Sequence, residues 1–259
     1  MIKTSFLFRR AIAAAILVAS AGETVSAAPV KNIVLVHGAW VDGSGWKPVY
    51  EILVKDGYNV TMVQEPLTSF QEDVAATKRI LDLQDGPTIL VAHSYGGSII
   101  TEAGVHPNVV GLVYVAAHAP DVGENEGALG KGKPSFTQQQ AGAIKKTADG
   151  YLFLDPVDFY ADFAADLPRE QAEFESRSQI PTAASVFTTP MSVAAWKTKP
   201  SWGIVAGADK IINPDLERWY YARARSHTTE IDGASHSVYE SRPREVATVI
   251  EDAAQHASP

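Results

Sequence analysis

Short apolar runs recur along this chain, most of them followed by a break and then a stretch with helical spacing. The run at 31–36, KNIVLV, shows no alternation of apolar and polar positions, as expected of a strand buried on both faces of a parallel sheet. A loop with Gly38, Gly43 and Gly45 follows, and 48–55 reads as a helix closed by Asp56-Gly57. Residues 58–63 predict a second strand. Over 70–83, Phe70, Val74, Ile80 and Leu81 fall at helical spacing before the break at Asp85-Gly86-Pro87. Residues 88–92, 109–116, 203–206 and 228–231 predict four more strands, and 246–256 a closing helix. Strands alternating with helices predict an α/β architecture of three layers, a mostly parallel six-stranded sheet between helices.

The alternation stops between 119 and 200. That stretch holds the Gly/Lys-rich segment 127–134, a glutamine run at 138–140 and helix-like pieces rich in Phe and Tyr. It is too long for a simple connection, so an inserted helical cap over one edge of the sheet is expected. The segment 127–134 reads as a solvated loop.

Composition narrows the class. The chain has 259 residues, 46% of them hydrophobic, enough for one large α/β domain. A net charge of −8 argues against a nucleic-acid partner. With no cysteine, disulfides, thiol nucleophiles and cysteine metal sites are excluded. Histidines and carboxylates are nowhere grouped at metal-ligand spacing, so neither a metal nor another cofactor is expected. Lys3, Arg9 and Arg10 precede an apolar stretch at 11–19 and the small-x-small pattern Val25-Ser26-Ala27. This predicts a signal peptide over 1–27, removed on export to the periplasm or the exterior, and too short to anchor the protein in a membrane. Arg9-Arg10 raises the twin-arginine route.

Chemistry enters at Ala92-His93-Ser94-Tyr95-Gly96, between the third strand and the helix-like 97–100. Strand, tight turn around a serine, then helix is the setting in which a G-x-S-x-G-type motif forms a nucleophile elbow; here Ala92 replaces the first glycine. A serine hydroxyl needs a base. His236 lies in the loop after the sixth strand and is the candidate base. Asp209, after the fifth strand, is the candidate acid, with Asp121, after the fourth, as its competitor. The order Ser, Asp, His fits a triad, in which the carboxylate orients the imidazole and stabilises its cation. The N–H groups of Ala39, in the loop after the first strand, and of Tyr95 are the candidate oxyanion donors. His37 and His93 read as structural. Trp40 and the cap aromatics Phe153, Phe159 and Trp196 are candidates for a substrate pocket.

Together these residues resemble the α/β-hydrolase superfamily, and within it the small-ester branch of plant methylesterases, hydroxynitrile lyases and bacterial esterases. The resemblance rests on VLVHGAW (34–40), VAHSYGG (91–97), VYVAAHAPD (113–121), GADKIINPD (207–215) and GASHS (233–237). It implies a serine esterase acting on small esters or lactones through an acyl-enzyme. The lyases of this branch carry threonine where Gly38 stands and lysine where Ser237 stands, which disfavours that activity here. A non-catalytic ligand receptor and cofactor-free oxygen chemistry are the other uses of this fold to weigh. A fold beginning at KNIVLV, without the two N-terminal strands of larger relatives, again implies six strands.

Overall fold

A computed structural model describes residues 1, 2 and 30–257. All but the first two positions of the expected signal peptide lie outside them. In chain order the elements are β1 (Asn32–Val36), α1 (Lys47–Lys55), β2 (Asn59–Met62), α2 (Phe70–Asp82), β3 (Thr88–Ser94), α3 (Gly96–Ala103), β4 (Val109–Ala117), α4 (Glu126–Gly132), α5 (Phe136–Gln139), β5 (Ile144–Lys146), β6 (Tyr151–Leu154), α6 (Pro156–Asp162), α7 (Arg169–Arg177), β7 (Thr182–Ala183), β8 (Ser201–Ala206), α8 (Pro214–Ala224), β9 (His227–Ile231), α9 (Val238–Ser241) and α10 (Pro243–His256). Six strands form one sheet in the order β2-β1-β3-β4-β8-β9, with every pairing parallel.

The unbroken apolar runs are explained by burial on both faces. In β1, Ile33 and Leu35 pack into one core with Val49 and Leu53 of α1 and Val246 and Ile250 of α10. Val34 and Val36 pack into the other with Val74 of α2, Ile99 of α3 and Tyr220 and Tyr221 of α8. β3 divides in the same way, Ile89 and Val91 against Leu90 and Ala92. Side chains still alternate with period two, but both sides are apolar.

The chain leaves β1 outward to β2 and returns on the other side to β3, so β1 and β3 are neighbours at a topological switch point. In such sheets the crevice beyond the carboxyl ends of these strands is where ligands bind. The loop 37–40 and the turn at 94–95 meet there.

The cap follows β4 and precedes β8. It contains α4 to α7, and also an antiparallel three-stranded sheet, β5-β6-β7, that the hydropathy pattern does not predict. Its strands are two to four residues long, too short to establish a period. Residues 126–132 form α4, where a solvated loop is expected; Asn125 caps it, accepting a hydrogen bond from the Ala128 N–H at 2.9 Å. The helix α8 is a further addition. Its buried face mixes Leu216 with Glu217, Tyr220 and Tyr221, which blurs the apolar period, although Asn213 and Pro214 provide a standard helix start. Among the described residues no helix is long and apolar enough to cross a membrane.

Candidate active site

The turn after β3 is a constrained point of the backbone. Ser94 has φ +55°, a left-handed conformation that non-glycine residues adopt at a cost and that recurs at functional sites. The turn is possible only because its neighbours lack side chains. A Cβ at Gly97 would lie 2.1 Å from the His118 carbonyl oxygen, and one at Gly96 would lie 2.6 Å from that of His37. At Gly38 it would meet Ser94 Cβ at 2.8 Å. Three strand ends are thus drawn tightly around one hydroxyl.

Ser94, His236 and Asp209 form a hydrogen-bonded chain. His236 Nε2 lies 2.9 Å from Ser94 Oγ, and its Nδ1 lies 2.5 Å from Asp209 Oδ2. The other carboxylate oxygen of Asp209 accepts the N–H groups of Ile211 and Ile212 at 2.7 and 2.9 Å. His236 is fully buried, with the edge of Phe163 against its ring at 4.8 Å between centroids. His93 packs on its other side, and Nε2–H of His93 donates to the His236 carbonyl at 2.9 Å. Burial lowers the pKa of His93 well below the ordinary value, so it serves as a neutral support. Asp121 lies elsewhere: its carboxylate pairs with Lys197 at 2.5 Å and accepts the Val122 N–H at 2.6 Å.

Ala39 and Tyr95 line, with Ser94, a cavity of about 200 Å³. Neither of their N–H groups is taken up by an acceptor among the described residues. The N–H of Trp40, in contrast, donates to Thr182 Oγ1 at 3.2 Å, and the Trp40 carbonyl accepts from Ile180, which ties this loop to the cap. Beneath the loop, His37 donates from Nδ1 to the Gly38 carbonyl at 2.9 Å, and its Nε2 lies 2.6 Å from Glu65 Oε2. Burial disfavours the His37 cation, yet Glu65 outweighs it and raises the His37 pKa. The Tyr95 hydroxyl donates to Asp73 Oδ2 at 2.7 Å, which fixes the residue after the serine. Burial lifts the Asp73 carboxyl to about 6.

Of the four aromatic residues expected to line the pocket, only Trp40 does so. Phe159 is fully buried, stacked on Phe163 at 4.8 Å, and is part of the support behind His236. Trp196 donates from Nε1 to the Pro120 carbonyl at 3.0 Å and packs under Arg223. Phe153 packs within the small sheet. The walls come instead from Phe187, Ile144, Leu152 and Ile211, with His118 and Glu126 as a polar corner. His118 follows β4 at the same sheet edge as Ser94, the signal in the sequence that had pointed only to Asp121. Glu126 Oε1 accepts the Ser98 hydroxyl at 2.5 Å, and its other oxygen is 3.5 Å from His118 Nε2. Burial raises the Glu126 carboxyl to about 8 and lowers His118 to about 3, so it favours the neutral form of both. Among the described residues no group of three or more His, Asp and Glu side chains is placed to hold a metal ion.

The chain is similar to several known hydrolases. A carbendazim-hydrolyzing esterase of Nocardioides sp. (strain SG-4G) is 28% identical over 184 residues, 63% of this chain and 74% of that protein. A pyrethroid hydrolase of known structure is similar with 25% identity and a TM-score of 0.76, over 88% of this chain and 98% of its own. A methylesterase from Arabidopsis, at 18% identity, shares the fold with a TM-score of 0.72 over 86% of this chain and 98% of its own. Residues 33–249, spanning both sheet halves, the elbow and the His236 loop, match the sequence profile of the alpha/beta hydrolase family, and the chain belongs to that family.

Proposed function

We propose that the protein is an esterase-type hydrolase that cleaves small, uncharged carboxylic esters, lactones included, through a Ser94–His236–Asp209 triad and an acyl-enzyme. The hydrolase class follows from family membership and from relatives named as esterases and hydrolases. The observation that carries the mechanism is the unbroken chain of hydrogen bonds from Asp209 through His236 to a serine held in a left-handed turn. Ser94 Oγ attacks the ester carbonyl as His236 Nε2 accepts its proton. The N–H groups of Ala39 and Tyr95 receive the oxyanion. His236 returns the proton to the leaving alkoxide, and then takes one from the water that hydrolyses the acyl-enzyme. A fluorophosphonate probe tests the assignment of the nucleophile: its adduct is expected on the tryptic peptide containing Ser94, and an adduct elsewhere rejects it.

The substrate class follows from the lining. Among the described residues no lysine or arginine lines the cavity, and burial favours the neutral forms of its polar corner. An anionic substrate would lose its hydration there with no cation to receive it, a cost of several kcal/mol in a dry site. A monoester of a dicarboxylic acid is therefore expected to show kcat/KM lower by on the order of 10-fold or more than a neutral ester of equal length. Equal values would remove the selection for uncharged substrates.

Export remains part of the proposal. It is supported by the basic residues Lys3, Arg9 and Arg10, the apolar 11–19 and the Ala27 site. N-terminal sequencing of protein from the periplasmic fraction is expected to begin near Ala28. A chain starting at Met1 in the cytosol would refute it.

A further inference from the structure

Behind the triad lies a second carboxyl group that the mechanism above does not use. Glu217, in the first half of α8, is fully buried. Its Oε2 accepts the Ala206 N–H at 3.0 Å. Its Oε1 receives no N–H or O–H donor from any described residue, yet the carboxyl is within hydrogen-bonding reach of Asp209. Two carboxyl groups in contact in a dry interior cannot both be ionised without severe repulsion, so one retains a proton. The donors decide which. Asp209 receives three: the N–H groups of Ile211 and Ile212 and Nδ1–H of His236. Glu217 receives one. Arg218, the neighbouring cation on α8, turns outward to Asp215 at 2.6 Å and Glu230 at 2.5 Å. The negative charge therefore belongs on Asp209 and the proton on Glu217.

We propose that Glu217 is a positioning residue for ester hydrolysis: it stays protonated and donates a hydrogen bond to Asp209, so that the carboxylate orienting His236 is itself held and partly neutralised from behind. This inference rests on the triad reading. Its consequence is a limit on how tightly Asp209 holds the His236 imidazolium. An acid that binds the cation too strongly leaves the base protonated, and idle, to higher pH. Desolvation and the neighbouring Asp209 charge both raise the Glu217 pKa well above the ordinary value, in line with the donor count. The other titratable groups around the pair do not compete for this role. Tyr221 and Tyr114 are buried phenols with raised pKa values, and His93 and His118 are neutral.

The test compares two variants through the pH dependence of kcat/KM on a neutral ester, followed by titrating released acid. Glu217→Gln keeps both bonds, its amide N–H donating to Asp209 and its carbonyl accepting from Ala206. The acidic limb is expected to stay in place, with activity within about twofold of wild type. If Glu217 were an anion, this change would remove a charge beside the pair and move the limb to lower pH, which would overturn the proposal. Glu217→Met removes the donor and leaves more of the Asp209 charge to His236. The limb should then move up by about 0.5–1 pH unit. An unmoved limb in a folded, active Glu217→Met would reduce the residue to packing and also overturn it. Infrared difference spectra give a readout that does not need turnover. At neutral pH wild type minus Glu217→Gln should show the carbonyl stretch of a protonated carboxyl, and its absence overturns the proposal even if Glu217→Met fails to fold. Failure of the triad itself would show separately, as turnover that survives the loss of Ser94.

Discussion

Replacing Ser94 by alanine is expected to lower ester turnover by at least about 10³-fold while leaving the fold intact. Only one oxygen is lost, and the residue is already almost buried, so no cavity of consequence opens. The left-handed backbone at 94 is no worse for alanine than for serine, because both carry a Cβ. The Oγ–Nε2 bond that disappears contributes about 1 kcal/mol at most to stability, so circular dichroism and the thermal midpoint should be nearly unchanged. What is lost is the covalent intermediate. The Ala39 and Tyr95 N–H groups would still polarise a bound carbonyl, and the residual rate measures what they do alone. Turnover of a neutral p-nitrophenyl ester near the wild-type rate would end the serine mechanism. It would also reopen the receptor and oxygenase readings of the same fold.

Much of this was legible in the sequence, for identifiable reasons. The inner strands β1, β3, β4 and β8 could be read because a parallel strand covered on both faces is a continuous apolar run, whereas the exposed edge strands β2 and β9 carry a mixed pattern; all six lie within two residues of the expected ranges. The elbow could be read because a sharp turn demands small neighbours, and Ala92 and Gly96 provide them; the structure adds Gly97, packed against the His118 carbonyl. The cap was not legible. Its strands are two to four residues long, and α4 starts in a Gly/Lys-rich segment whose composition suggests a loop. Burial of an aromatic residue also says nothing about what it faces. Phe159 and Trp196 are spent on packing, while the cavity is walled by Phe187, Ile144 and Leu152, which have no feature to distinguish them in sequence. Glu126 and Glu217 were invisible for another reason. An isolated glutamate in a sequence reads as a solvated surface residue, and only the tertiary structure takes these two out of water.

Asp209→Asn should cost far more activity than Asp121→Asn, by about 10³-fold or more against less than about threefold. The two residues follow adjacent strands of the sheet, and both are plausible acids from sequence order. Geometry separates them. Asp209 Oδ2 meets His236 Nδ1 at 2.5 Å, and its side chain is wholly buried. An asparagine there keeps the shape but not the charge. Its amide N–H, turned toward His236, would favour the tautomer that carries its proton on Nε2, where the serine proton has to go. Turned the other way, it would place donors against the Ile211 and Ile212 N–H groups, which Asp209 Oδ1 now accepts. Either orientation conflicts with one side of the site, so no repacking rescues it. Asp121 holds a part-exposed salt bridge to Lys197, a kind of pair that contributes under about 1 kcal/mol, and it makes no contact with His236. Its loss should alter the local loop and little else. The ratio of kcat/KM for the two variants on one neutral ester is the measurement. If Asp121→Asn is the more damaging, the acid has been misassigned, while the sheet, the elbow and His236 stand as described.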